Sequence, residues 1–247
     1  MLEKVEHWLT FKPNSIDHGQ LSNFKHSRFS FGETHQLVLD GALIPSSSNT
    51  VVLFIHGNRH NITRFGEHYA LCQSLGYSCF TFDFPGYGKS AGTPTESNVY
   101  ASAHAAHQYV KNTLGYSDDK IIIYGCSLGG AVAIELAQHI KARCLITEST
   151  FTNTIDMARH LYPWLPITNF LTKRFDNQSK VNQISMPHLI IHGNKDNQVP
   201  ITMAHRLHQA ASTPKKVITV QNAGHTDALV IGGAQLAKQI ENFIDQA

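Results

Sequence analysis

Residues 120–137 read KIIIYGCSLGGAVAIELA, and this stretch predicts a strand, a sharp turn and a helix. Residues 121–124 are β-branched or aromatic, as a buried strand requires. A G-x-S-x-G motif follows, then an alanine-rich segment of helical composition. Gly125 and Gly129 leave room for close packing around a strained turn. We therefore expect Ser127 to project its hydroxyl above the sheet at a helix N-terminus.

The rest of the chain predicts a mostly parallel sheet around this turn. Short apolar runs alternate with helical patterns from Thr50 onward, which indicates right-handed βαβ units covered on both faces. Two earlier strands, 28–31 and 35–44, flank a turn at 32–33 and resemble an antiparallel edge. The predicted fold is one α/β domain over 1–247, which begins with a polar arm that ends at about residue 25. The parallel strands are predicted at 51–55, 79–82, 121–124, 144–147, 189–191 and 217–220.

A long interval after the sixth strand breaks this alternation. Residues 148–187 are far longer than an ordinary connection between a strand and its neighbour. The interval is aromatic and interrupted by proline, which favours a small cap over a disordered loop. Its apolar residues could pack the cap onto the domain or line an apolar substrate pocket, with Trp164 a candidate substrate contact.

A serine nucleophile needs a base and an orienting acid at the same sheet edge. His225 follows the strand at 217–220, and Asp196 follows the strand at 189–191. Asp196 could instead cap a turn or a helix. Glu148, directly after the strand at 144–147, is the rival acid.

The loop HGNRH at 56–60 follows the first parallel strand and predicts an oxyanion site. The backbone N–H of Asn58 and that of Leu128, after the nucleophile, are the expected donors. We interpret His56 as a buried anchor of this loop. Arg59 is either a surface charge or a substrate contact, and the sequence does not separate the two.

Composition excludes several classes of protein. Among 247 residues, 42% are hydrophobic, and 20 basic against 18 acidic residues give a net charge of +2. A packed globule is expected, and no basic run indicates nucleic-acid binding. We find no signal peptide and no apolar segment long enough to span a membrane.

Four cysteines lie in apolar patterns and predict buried free thiols, which favours a reducing, cytoplasmic compartment. Cys126 should face the core, so it is not the expected nucleophile. Two histidine pairs have helical i,i+3 spacing but lack converging further ligands, so we predict no metal and interpret them as solvent-facing. The pairs are His104 with His107 and His205 with His208.

Five motifs in order resemble one branch of the α/β-hydrolase superfamily, which holds lysophospholipid lipases, protein depalmitoylases and uncharacterised bacterial hydrolases. The similarity covers about residues 28 to 245. It implies ester or thioester hydrolysis with Ser127, Asp196 and His225 in the family's order, and without a cofactor. In that family Asp83, Gly86, Tyr87 and Gly88 shape a loop beside the site. Tyr87 is a further candidate substrate contact. The motifs are HGN at 56–58, DFPGYGKS at 83–90, GCSLGG at 125–130, HGNKDNQVP at 192–200 and NAGH at 222–225.

The sequence therefore predicts a serine hydrolase acting on a small or acylated ester or thioester substrate. Two alternatives stay open: a peptidase or amidase, and a non-catalytic ligand receptor on the same fold. A dehalogenase would need aspartate at position 127 and is excluded. Acyl length, leaving group and oligomeric state are not specified by the sequence.

Overall fold

A computed structural model of the chain describes residues 7, 10–31, 37–164 and 174–247. In these residues the strands form one sheet in the order β1-β2-β4-β3-β5-β6-β7-β8. The first two pairings, β1 with β2 and β2 with β4, are antiparallel, and all the others are parallel. The strands are β1 (His26–Phe31), β2 (Leu37–Ile44), β3 (Val51–Ile55), β4 (Ser78–Phe82), β5 (Ile121–Cys126), β6 (Cys144–Glu148), β7 (His188–Gly193) and β8 (Lys215–Val220).

Helices connect the parallel strands. The α-helices of the described residues are α1 (Gly66–Ser74), α2 (Glu96–Asn112), α3 (Leu128–His139), α4 (Thr154–Leu161), α5 (Asn177–Lys180), α6 (Ile201–Ala210) and α7 (Ala228–Asp245). Short 3-10 turns lie at Ile62–Arg64, Asp118–Lys120 and Val181–Gln183. The predicted strands and the striped helices are therefore confirmed, with ends that differ by one or two residues.

Alternation along the central strands builds two hydrophobic layers. In β3, Val51, Leu53 and Ile55 face the layer that contains α2, α3 and α6. Val52 and Phe54 face the opposite layer, which contains α1 and α7. Successive side chains of a strand point to opposite faces, so a run of five buried residues can fill both layers at once. The predicted α/β class, with helices on both faces, is confirmed.

Three predictions change or fall outside the described residues. The helix α2 begins at Glu96 with Thr95 as its cap, whose side chain accepts the N–H of Asn98. The residues Thr93-Pro94-Thr95-Glu96 predict a helix with proline at its first position, but Pro94 precedes the cap and is not the first helical residue. The turn at 32–33 lies outside the described residues. So does 165–173, which belongs to the predicted cap at 148–187; that cap stays a prediction, and α4 and α5 lie within it.

Candidate active site

The turn after β5 holds Ser127 in a strained backbone conformation. Its φ is 54° and its ψ is −114°, in a region that residues with a side chain rarely adopt. A Cβ on Gly125 would collide with the carbonyl of Gly129, and one on Gly129 would collide with the carbonyl of Ile55. The two glycines of the motif therefore permit the close crossing of strand and helix that exposes the serine.

Ser127, His225 and Asp196 come together in one hydrogen-bonded chain. The Ser127 Oγ lies 3.0 Å from the His225 Nε2, and the His225 Nδ1 lies 2.8 Å from Asp196 Oδ2. A carboxylate can only accept, so Nδ1 carries the proton and Nε2 is left to accept from the serine. The sequence-predicted residues thus have the separations and polarity that proton transfer from a serine requires.

The environment of Asp196 keeps it ionised. Its side chain is fully buried, and burial alone raises the pKa of a carboxyl group. Hydrogen bonds to the carboxylate lower this pKa. They come from His225, from His192, which is 3.4 Å from Oδ2, and from the backbone N–H groups of Gln198 and Val199, each 2.9 Å from Oδ1. The pKa of Asp196 is consequently held well below its usual range. A charged carboxylate therefore faces the imidazole.

Glu148, the rival acid of the sequence analysis, is bound to a different histidine. Its Oε2 accepts from His68 Nε2 at 3.0 Å and from the hydroxyl of Tyr124 at 2.6 Å. Burial raises the pKa of Glu148, but His68 and Tyr124 outweigh it and the net shift is downward. Its backbone carbonyl accepts the N–H of Ser127 at 2.8 Å. Glu148 therefore supports the nucleophile turn from below.

Cys126 completes a compact group with these two residues. Its Sγ and the ligand atoms of His68 and Glu148 all lie within 4.8 Å of one another, a spacing compatible with a metal ion. Hydrogen bonds occupy His68 Nε2, Glu148 Oε2 and the Tyr124 hydroxyl without one, whereas His68 Nδ1 and Glu148 Oε1 have no partner among the described residues. Burial raises the pKa of Cys126 well above its usual value, which keeps the thiol protonated. The predicted burial of Cys126 is confirmed.

The two residues predicted as oxyanion donors lie on the loop after β3 and at the first position of α3. In the described part of the chain, the N–H groups of Asn58 and Leu128 donate to no protein acceptor, and both residues line the cavity at Ser127. His56 anchors this loop: its Nδ1 donates to the carbonyl of Gly57 at 2.7 Å, and its Nε2 accepts the N–H of Phe84 at 3.2 Å. Burial lowers the pKa of His56 to about 4, so it stays neutral in this role.

Tyr87 is not in the cavity, contrary to the sequence-based expectation of a substrate contact. Its side chain is fully buried, and its hydroxyl donates to the side-chain oxygen of Asn58 at 2.7 Å. The same oxygen accepts the backbone N–H of Lys12 at 2.9 Å. Asp83 accepts the N–H of Ile62 at 2.8 Å, which agrees with a structural role for the loop at 83–88. Tyr87 therefore supports the oxyanion loop and does not line the cavity.

A cavity of about 470 Å³ opens at Ser127 and His225. One wall is apolar and comes mainly from the region of the predicted cap, with Phe151, Met157 and Leu161 among its residues. The other wall comes from the arm and the oxyanion loop, with Thr10, Lys12 and Arg59. Trp164 is 75% exposed and does not line the cavity, so its predicted substrate contact is not observed.

Sequence reasoning missed the contribution of the arm and one buried histidine. Nothing in the pattern of residues 10–14 indicated that Lys12 would touch a loop 46 positions away. His107, expected to face solvent, is buried and its Nε2 lies 2.7 Å from a carboxylate oxygen of Asp118. The acidic pair at 118–119, just before β5, was the available signal for that contact.

Comparison with known proteins agrees with this fold. A family model described as "alpha/beta hydrolase fold" matches residues 50–177, and one described as "TAP-like protein" matches residues 169–247. An uncharacterized protein of Mycobacterium tuberculosis is 31% identical over 199 residues, covering 81% of this chain and 71% of that protein. Human alpha/beta hydrolase domain-containing protein 17B is 30% identical over 203 residues, covering 82% of this chain and 68% of that protein.

Solved structures share the fold at low identity. An alpha-beta hydrolase from Vibrio vulnificus superposes with a TM-score of 0.80 at 19% identity, covering 98% of this chain and 95% of that one. The Pyrococcus furiosus esterase Pf2001 superposes with a TM-score of 0.77 at 18% identity, covering 96% of this chain and 97% of that one. The chain belongs to the α/β-hydrolase family, and this membership supports hydrolase activity in the general sense. In the residues described, no helix is both long and apolar enough to cross a bilayer.

Proposed function

We propose that the protein is a serine hydrolase that cleaves a carboxylic ester or thioester through an acyl-enzyme. The observation that carries this proposal is the continuous hydrogen-bonded chain from Ser127 Oγ through His225 to the ionised Asp196. A serine hydroxyl is a weak nucleophile unless a base removes its proton as it attacks. Here the base lies within hydrogen-bond reach and its protonated form faces a negative charge.

In the first half-reaction the Ser127 Oγ attacks the carbonyl carbon of the substrate while its proton passes to His225 Nε2. Asp196 stabilises the imidazolium that forms. The tetrahedral intermediate collapses when His225 gives the proton to the departing alcohol or thiol. In the second half-reaction a water molecule attacks the acyl-enzyme by the same route, which releases the acid and restores Ser127.

The negative charge that develops on the carbonyl oxygen needs donors that are already in place. We assign this role to the N–H groups of Asn58 and Leu128, which donate to no protein acceptor in the described residues. The Asn58 side chain accepts from Tyr87 and Lys12, and these contacts hold the loop for the task. Both donors lie on rigid supports, the loop after β3 and the first residue of α3.

The apolar wall favours a substrate with an apolar acyl part. Phe151 and Val199 are buried at its base, and Met157 and Leu161 of α4 extend it toward solvent. A cavity of about 470 Å³ is in the range of small-molecule sites. In this proposal the cap at 148–187 supplies the acyl side of the site.

Labelling with a fluorophosphonate tests the proposal, with mass spectrometry to locate the adduct. We expect one adduct on Ser127 in the folded protein, and hydrolysis of p-nitrophenyl esters that disappears in Ser127→Ala. Circular dichroism of that variant serves as the folding control. A Ser127→Ala variant with wild-type activity, or folded protein that takes no label, would overturn the proposal and favour a ligand receptor.

A further inference from the structure

The wall formed by the arm and the oxyanion loop is basic. Arg59 and His60 follow Asn58 directly and both line the cavity, together with Lys12 and Arg174. Among the described residues that line it, none is an aspartate or a glutamate. We call the side chains of Arg59 and His60 the basic rim.

Arg59 has no partner of its own among the described residues. Its side chain is exposed and takes part in no hydrogen bond or ion pair there. His60 packs its ring against that of His18, with the centroids 5.4 Å apart, and its buried Nδ1 has no hydrogen-bond partner. The rim therefore has polar groups, the Arg59 guanidinium and His60 Nδ1, that bond to none of the described residues.

The charges around His60 are of one sign. Burial lowers the pKa of His60, and His18, Arg64 and Arg59 lower it further. At neutral pH His60 is therefore uncharged, and Arg59 carries the positive charge of the rim. These neighbours are basic, so a positive potential surrounds the rim. Asp17 lies on the same arm but is exposed and accepts the N–H of Gly19. Asp196 and Glu148 lie beneath the nucleophile, where each already binds a histidine.

We propose that the basic rim binds an anionic group, a carboxylate or phosphate, on the ester or thioester substrate. This inference rests on the proposed hydrolase function and gives its substrate class. A guanidinium presents a planar fork of N–H donors that fits such anions. Arg59 lines the same cavity as the oxyanion donor Asn58 and Ser127, so the bound anion and the reacting carbonyl share that cavity. The apolar part of the substrate lies against α4.

Matched substrates test the charge and its position. A neutral p-nitrophenyl hexanoate is compared with the p-nitrophenyl monoester of adipic acid, which places the anion on the acyl side. Hexanoyl-coenzyme A is compared with the neutral hexanoyl thioester of N-acetylcysteamine, which places it on the leaving group. We expect the anionic member of at least one pair to have the higher kcat/KM.

Arg59→Gln is the test variant, and Arg28→Gln is the control. Arg28 on β1 is also exposed and basic but does not line the cavity. We expect Arg59→Gln to lower kcat/KM for the preferred anionic substrate by about tenfold or more, and for the neutral ester by less than about twofold. Arg28→Gln should change both by less than about twofold. Added salt should reduce the wild-type preference and leave Arg59→Gln nearly unaffected.

Equal losses of Arg59→Gln on neutral and anionic substrates would overturn the inference, because they would indicate a structural role. A wild-type enzyme that prefers the neutral member of both pairs would overturn it as well. Neither outcome contradicts the proposed hydrolase function. That function is tested separately: it is contradicted if the neutral ester is not hydrolysed, or if its hydrolysis does not require Ser127.

Discussion

The backbone N–H of Ser127 donates to the carbonyl of Glu148 over 2.8 Å, and this contact ties the nucleophile turn to the end of β6. The side chain of Glu148 is fixed in turn by His68 on α1 and Tyr124 on β5. A strained φ of 54° persists only where surrounding contacts determine it. The buried pair of Glu148 and His68 is thus part of what holds the serine in place.

Replacing Glu148 with glutamine removes the negative charge from this buried pair. We expect Glu148→Gln to lower the free energy of unfolding by about 2–3 kcal/mol, because the buried His68 loses the charged acceptor of its hydrogen bond. Urea unfolding followed by circular dichroism measures the change. Asp118→Asn is the control, since that carboxylate is partly exposed and should cost less than about 1 kcal/mol. Equal losses in the two variants would contradict a special role for the buried pair.

Replacing Asp196 with asparagine separates the two carboxylates by function. The amide oxygen of Asp196→Asn can still accept from Gln198 and Val199, so we expect a folded protein. It cannot stabilise the imidazolium of His225, so kcat should fall by about three to four orders of magnitude. Steady-state hydrolysis of p-nitrophenyl esters checks this. If Glu148→Gln reduces kcat more than Asp196→Asn does, the assignment of the acid is wrong.

Tyr87→Phe tests the support of the oxyanion loop. Without its hydroxyl, Asn58 keeps only the N–H of Lys12 as a partner for its side-chain oxygen. We expect kcat to fall by about tenfold with KM nearly unchanged, because the donor is displaced and no substrate contact is lost. Tyr109→Phe, which removes a hydroxyl that bonds to none of the described residues, should leave kcat unchanged. A rise in KM alone would restore Tyr87 as a substrate contact.

Buried neutral histidine should make the protein sensitive to acid. Burial lowers the pKa of His188 from 6.5 to about 3, and its Nε2 bonds to the hydroxyl of Thr147 at 2.9 Å. Between these values the unfolded chain binds a proton that the folded chain does not, so stability falls as the pH drops below about 6.5. One such group contributes a slope of at most about 1.4 kcal/mol per pH unit.

His188→Gln should flatten the acid side of the stability profile. Urea unfolding at several pH values between about 7.5 and about 4.5 measures the slope. The variant should lose stability less steeply than the wild type in this window. His205→Gln, on the exposed face of α6, should keep the wild-type slope. If the His188→Gln and wild-type profiles run parallel, this histidine is not the acid-sensitive group.

Most of the fold could be predicted from local patterns in the amino-acid sequence. The buried strands are runs of apolar residues between helices with a clear stripe, so β3 and β5 could be located within a residue or two from the sequence. The turn at Ser127 could be predicted because its glycines are required by close backbone contacts. The order of loops at one sheet edge then brought Asp196 and His225 to the serine.

Contacts between distant segments could not be predicted in this way. His68 and Glu148 are 80 positions apart, and neither residue type nor spacing indicates that they pair. The burial of Tyr87 depends on the arm, whose polar sequence has no periodicity to predict a position. The exposure of Trp164 likewise follows from the path of the chain after α4, and not from its hydrophobic side chain.

The arm has a consequence for how relatives of this protein diverge. The two family models match residues 50–177 and 169–247, so both leave out the segment that carries Thr10 and Lys12. That segment nevertheless forms part of the cavity wall and contacts the oxyanion loop. A substitution in the arm can therefore change the shape of the cavity without altering Ser127, Asp196 or His225. Two members with the same catalytic motifs can differ in specificity at residues that a motif-based alignment does not include.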